Sequence, residues 1–150
     1  MVNNMAEKNN IHYWQSQCVL NAKPRGFHLI TSEITHAITT MPTIQTGLVH
    51  LFLQHTSASL AISENTCREV QLDLETFFNS AVPEDSSLYK HALEGEDDMP
   101  AHIKNAMLGV SLTIPIHHHQ LLLGQWQGIY LCEHRNHATA RRIMITAHGV

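Results

Sequence analysis

Between Gly47 and Asn65 the chain reads GLVHLFLQHTSASLAISEN, and this stretch constrains the fold more than any other. An apolar run from Leu48 to Leu53, interrupted only by His50, is too short for a typical helix and suits a buried strand. The polar cluster Gln54-His55-Thr56-Ser57 follows, and Leu60-Ala61-Ile62 then resumes the apolar pattern before Ser63-Glu64-Asn65. This predicts strand, polar corner, strand. Polar groups at the end of a buried strand are held rigidly and can face a cleft, where chemistry is often placed. Taken alone, His55-Thr56-Ser57 reads better as an ordinary turn, with His55 bonded into the backbone.

The 150 residues fit one domain with a real core, at 43% hydrophobic and 15% charged content. The formal net charge is −4. No Lys/Arg-rich block marks a nucleic-acid footprint. No apolar run is long enough for a membrane span, and no signal-peptide pattern is present. Met1–Asn10 is polar and is expected to be a flexible tail ahead of a single domain over residues 11–150. Cys18, Cys67 and Cys132 are odd in number and far apart, which points to buried thiols in a reducing, cytoplasmic compartment. The 13 histidines are the unusual figure, because imidazole titrates near neutral pH and is the commonest metal ligand.

Ile11–Leu20 reads as a first strand, Lys23–Gly26 as a turn and Phe27–Ile30 as a short strand. Ser32 is expected to cap a helix reaching about Met41, which Pro42 ends. After the central stretch, Asn65 or Thr66 is expected to cap a second helix with the stripe Cys67, Val70, Leu74 and Phe77. Residues 83–87 form a loop, and Ser87–Asp98 is polar and acidic. Pro100 suits the first turn of a third helix through Met107, broken by Gly109. Ser111–Ile116 alternates as a strand, with Pro115 hinting at an edge or bulge. Leu121–Gly124, Trp126–Leu131 and Arg142–Thr146 look like further strands. The pattern predicts an α+β domain, with a mostly antiparallel sheet and two to three inserted helices.

His55, His91 and His102 lie in polar surroundings beside other reactive side chains. Three imidazoles with an open position would suit zinc or a similar ion. The gap from His91 to His102 is not a zinc-finger spacing, so folding would have to assemble such a site, and from spacing alone three unrelated histidines are the simpler reading. His117-His118-His119 reads as an exposed turn, since successive strand residues point to opposite faces. Glu96-Asp97-Asp98 could hold Mg²⁺ with a diphosphate, or be a solvated acidic loop. Arg135, Arg141 and Arg142 could supply a fork for phosphate, but Arg141 and Arg142 are adjacent in a strand, so at most one points into a given cleft. Thr56 and Ser57 could add phosphate contacts.

Read together, these segments resemble the YjbQ-like family, also called secondary thiamine-phosphate synthases. The matching pieces are His55-Thr56-Ser57-Ala58-Ser59-Leu60 with Glu64-Asn65, Tyr89-Lys90-His91, and EGEDDMPAHIKNAM over Glu94–Met107. Leu108-Gly109-Val110-Ser111 with Pro115-Ile116, Leu123–Ile129, Glu133-His134-Arg135 and Ala140-Arg141-Arg142 continue the match, which runs from about Ile11 to the end. Two positions depart from the family pattern: Gln125 stands where Thr is usual, and Ala140 where close relatives tend to have Ser.

The resemblance implies a homotrimer with sites near subunit contacts and a thiamine-phosphate synthase-type transferase, joining hydroxymethylpyrimidine diphosphate to thiazole phosphate with release of diphosphate. It implies a divalent metal, zinc or magnesium, on His55, His91 and His102. In that reading a phosphorylated small molecule is the substrate, with neither nucleic acid nor membrane as partner. His55, Thr56, Ser57, Arg141 and Asp97 would be catalytic, stabilising the departing charge. Trp126 would stack on a ring or fill the core. Two alternatives are a metal-dependent hydrolase of a small phosphorylated metabolite and a trimeric ligand-binding protein.

Overall fold

A computed structural model describes residues 10–150, so the expected tail lies outside the described residues except for Asn10. Strands β1 (His12–Leu20) and β2 (Gly26–Leu29) precede helix α1 (Thr31–Ala37), which tightens into a 3₁₀ turn over Ile38–Thr40. Strands β3 (Thr46–Leu53) and β4 (Ala58–Glu64) flank the polar corner. Helices α2 (Arg68–Ala81) and α3 (Asp98–Leu108) follow, and then β5 (Ser111–His117), β6 (Gln120–Leu121), β7 (Gln127–Glu133) and β8 (Arg141–Gly149). The domain is α+β, and its strand pairings are antiparallel. No helix among the described residues is long and apolar enough to cross a membrane.

The strands form two sheets, one of order β1-β8-β3-β5-β6 and one of order β2-β7-β4. Their facing sides share the main core: Val49, Leu51, Leu53, Ile114, Ile143 and Ile145 from the larger sheet meet Ala58, Leu60, Ile129 and Leu131 from the smaller, with Ile30, Ile34 and Ile38 from the α1 region. The far side of the small sheet carries Phe27, Tyr130 and Cys132, which pack against Leu74, Phe78 and Leu108 of α2 and α3. Buried on both faces, β7 therefore reads as the unbroken apolar run Ile129-Tyr130-Leu131-Cys132 rather than as an alternation. The outer face of the large sheet is open and carries Tyr13, Val19, Leu48 and Phe52. At its end β3 approaches β8 so closely that a Cβ on Gly47 would lie 2.2 Å from the His148 carbonyl oxygen.

Several local expectations are corrected. Ser32 does not cap α1, which starts at Thr31 after Ile30 with no side-chain cap. Neither Asn65 nor Thr66 caps α2: Cys67 is the N-cap residue, and the Glu64 carboxylate accepts the Thr66 and Cys67 amides. The inward stripe of α2 is rotated by one residue at its end, so Phe78 packs inward while Phe77 is exposed. Helix α3 begins at Asp98, two residues before Pro100. Residues 122–124 are not a strand. Cys67 is exposed, unlike Cys18 and Cys132, and Trp126 is exposed rather than core. His118 and His119 form the two-residue connection of the β5–β6 hairpin, with φ of 48° and 60°, the left-handed geometry such turns demand.

Candidate metal centre

The site grows from the start of α3. Asp98 is the first helical residue, where the helix N-terminus favours a carboxylate. Four residues on, His102 returns to the same face. His91, on the loop before the helix, folds back onto both. Asp98 Oδ2 lies 2.7 Å from His91 Nε2 and 3.3 Å from His102 Nε2. One ligand atom from each of the three residues falls within 4.8 Å of the others. Asp98 is 1% exposed, and its other oxygen accepts from Arg135. Burial alone would push its carboxyl up. The hydrogen bonds of His91 and Glu94 and the charges of Arg135 and His102 outweigh it and hold the carboxyl below its usual range.

The proton positions are informative. His102 Nδ1 lies 2.7 Å from the Thr56 carbonyl oxygen. A carbonyl only accepts, so Nδ1 carries a proton, and whenever the ring is neutral Nε2 presents a lone pair to the Asp98 carboxylate. Two acceptors at 3.3 Å repel unless a cation lies between them or the ring is charged. An imidazole fixed by a carbonyl on one nitrogen, with the other free for an ion, is the usual arrangement of a metal-ligating histidine.

Arg135 holds the loop in place. Its Nε donates to Asp97 Oδ2 at 3.0 Å, its Nη1 to Asp98 and its Nη2 to the Glu94 carbonyl at 3.0 Å. The Asn136 amide adds a 2.9 Å bond to Asp97 Oδ2. Burial raises the Asp97 carboxyl, but these donors more than offset it and leave it lowered. Asp97 is thus a bracket for the loop rather than a free catalytic carboxylate.

The remaining expected residues separate. His55 does not join His91 and His102: its Nε2 accepts the Arg142 amide at 2.8 Å, and Asp98 stands where His55 was expected. Burial, followed by the Arg141 charge, lowers the His55 pKa; Glu133 opposes this and Arg142 reinforces it. Thr56 and Ser57 contribute carbonyls, to His102 and Arg141 respectively, and not hydroxyls. Arg141 is buried and bidentate to Glu133, at 2.7 Å and 2.6 Å, so it is not available for an anion. That leaves Arg142 on the open face.

Sequence reasoning missed a second polar group, under α3. Lys104 is 1% exposed, and its Nζ donates to Asn79 Oδ1 at 2.7 Å. Burial, then the Arg25 charge, pushes its pKa down to about 8 against the opposing Glu75. His134 is equally buried, with Nε2 2.9 Å from Ser59 Oγ. Burial, then the charges of Lys104, Arg25 and Arg141, takes it down to about 3. No spacing in the sequence signals either group.

A family model described as UPF0047 protein YjbQ-like matches residues 16–150. The chain is 50% identical over 137 residues to the UPF0047 protein YjbQ of Escherichia coli O157:H7, covering 91% of this chain and 99% of that one. It is 42% identical over 135 residues to a UPF0047 protein of Synechocystis sp., covering 90% and 91%. Among solved structures, an uncharacterized conserved protein of the yjbq/upf0047 family from Clostridium acetobutylicum superposes with a TM-score of 0.77 at 30% identity, covering 87% and 97%. A YbjQ-like protein of unknown function from Sulfolobus solfataricus P2 shares the fold, with a TM-score of 0.83 at 21% identity over 94% of this chain and 100% of that one. These findings overturn the expected thiamine-phosphate synthase activity: these relatives carry only UPF0047 names or are described as uncharacterized or of unknown function, and none of them is described as a thiamine-phosphate synthase. The chain belongs to the YjbQ-like UPF0047 family.

Proposed function

We propose that the protein is a metal-dependent enzyme whose His91, Asp98 and His102 hold one divalent transition-metal ion. The observation that carries this reading is His102 Nε2 turned towards the Asp98 carboxylate, at 3.3 Å, with the far nitrogen locked on Thr56. Two imidazoles and a carboxylate suit zinc, or iron and its neighbours, better than magnesium, which prefers oxygen donors. Three protein ligands leave a coordination position open, whereas structural zinc sites are closed by four. The His91 side chain is 49% exposed and that of His102 is 30% exposed, so a small ligand reaches the centre from solvent. A bound ion would supply Lewis acidity to an oxygen ligand or to water. Asp98 and His102 set the geometry, and Arg135 keeps Asp98 from turning away.

Cobalt titration tests the reading, because the visible spectrum of Co²⁺ reports its coordination. Wild-type protein is expected to give a saturable spectrum with one ion per chain, lost in His91→Ala and His102→Ala. A spectrum that survives both substitutions would rule this centre out.

A further inference from the structure

His55 has a fixed proton. Its Nε2 accepts the Arg142 backbone N–H at 2.8 Å, so that nitrogen carries a lone pair and the neutral ring bears its hydrogen on Nδ1. Nδ1 has no hydrogen-bond partner among the described residues, and no buried side-chain donor there is left unsatisfied, so this N–H is open to solvent. His55 lines a cavity of about 350 Å³ with Phe52, Gln54, Thr56, Asn105 and Val110. That lining holds no carboxylate.

The cavity shares a wall with the metal residues. The Thr56 carbonyl fixes His102, and Asn105, one helical turn beyond His102 on α3, donates to the carbonyls of His55 at 3.1 Å and Ala58 at 2.7 Å. The local charge is positive. Arg141 is neutralised by Glu133, but the exposed Arg142 guanidinium makes no hydrogen bond or ion pair among the described residues, and its backbone is tied to the His55 ring. Phe52 is 45% exposed at the mouth and offers an apolar surface.

We infer that this cavity binds a small organic anion beside the metal centre. Its oxyanion accepts from His55 Nδ1–H and the Arg142 guanidinium, while its apolar body rests on Phe52 and Val110. The inference rests on the metal-centre reading for the ligand's placement and extends it by naming the ligand class. His55 thereby takes the part of an anion donor rather than a metal ligand. Arg142, not Arg141, is the arginine that meets the ligand.

Benzoate is a suitable probe, with benzyl alcohol as its uncharged counterpart. Benzoate titrated into nitrogen-15-labelled protein is expected to shift the His55 ring resonances. Arg142→Gln keeps the backbone amide that His55 needs, and it should weaken benzoate binding by about 10–150-fold, the range of a hydrogen bond to a charged group. His55→Gln should weaken it similarly, and benzyl alcohol should bind much more weakly than benzoate to wild type. Absence of a His55 shift, or equal benzoate affinity in wild type and Arg142→Gln, would overturn the inference. Zinc titrated into the same samples separates the two ideas. Zinc binding without a benzoate response overturns this inference alone, and a benzoate response without zinc binding overturns the metal-centre reading alone.

Discussion

His102 Nδ1 stands 2.7 Å from the Thr56 carbonyl oxygen, and this contact joins the β3–β4 corner to α3. It requires a proton on His102 Nδ1 and aims Nε2 at Asp98. The polar corner therefore contributes to the centre through its backbone. Removing the ring should release the corner as well as the ion. His102→Ala is expected to abolish zinc binding and to speed amide exchange at residues 55–57, as hydrogen exchange would show. Unchanged exchange there would mean the corner stands without it.

Arg135 carries the second prediction. It spans Glu94, Asp97 and Asp98, and partners of this kind typically change metal affinity by about 10–100-fold when mutated. Arg135→Gln should weaken zinc by an amount in that range by calorimetry. Lysine has one point charge in place of a planar fork, so Arg135→Lys should restore only part of the loss. Full affinity in Arg135→Gln would show that Asp98 keeps its position unaided.

The Arg141–Glu133 pair governs stability, not binding. Both side chains are buried, so removing one partner strands a charge. Glu133→Ala is expected to cost about 3–5 kcal/mol in denaturant unfolding, whereas replacing both residues by apolar ones of similar volume should cost far less. Equal losses in the two variants would contradict this account of the pair.

His134 predicts an acid-sensitive fold. Its folded value, about 3, is depressed below the unfolded 6.5, so its contribution is fully present above 6.5 and is lost as pH falls towards 3. Between pH 7 and pH 4 that loss is about 3 kcal/mol. His134→Gln should be less stable at pH 7 than wild type, with a flatter dependence over the same interval. Parallel curves for the two proteins would show that other groups set the acid limb.

Much of this architecture is legible in the sequence, because β3 and β4 are marked by apolar runs on either side of a polar corner. The boundaries of α2 are less so. Phe77 and Phe78 are adjacent aromatics, and only packing against Phe27 decides which turns inward. The strand β7 hides its period because helices cover its second face. At the site, the types of donor are readable but not their grouping. Asp98 and His102 are four residues apart on a helix, a spacing visible in the sequence once the helix is placed to start at Asp98. The bond from Arg142 to His55 joins residues 87 apart, and no local pattern encodes it. Arg141 reads as a phosphate ligand because its buried partner Glu133 lies on another strand.

The most direct test of the metal centre is calorimetric titration of metal-free protein with zinc, beside Asp98→Asn, which keeps the side-chain shape and an acceptor for Arg135. The account predicts one ion per chain for wild type and, because Asp98 is a ligand itself, affinity weakened by more than the roughly 10–100-fold that losing an outer partner costs, with an unchanged circular dichroism spectrum. Wild-type protein that takes up no zinc, or an Asp98→Asn variant that binds it equally well, would contradict it.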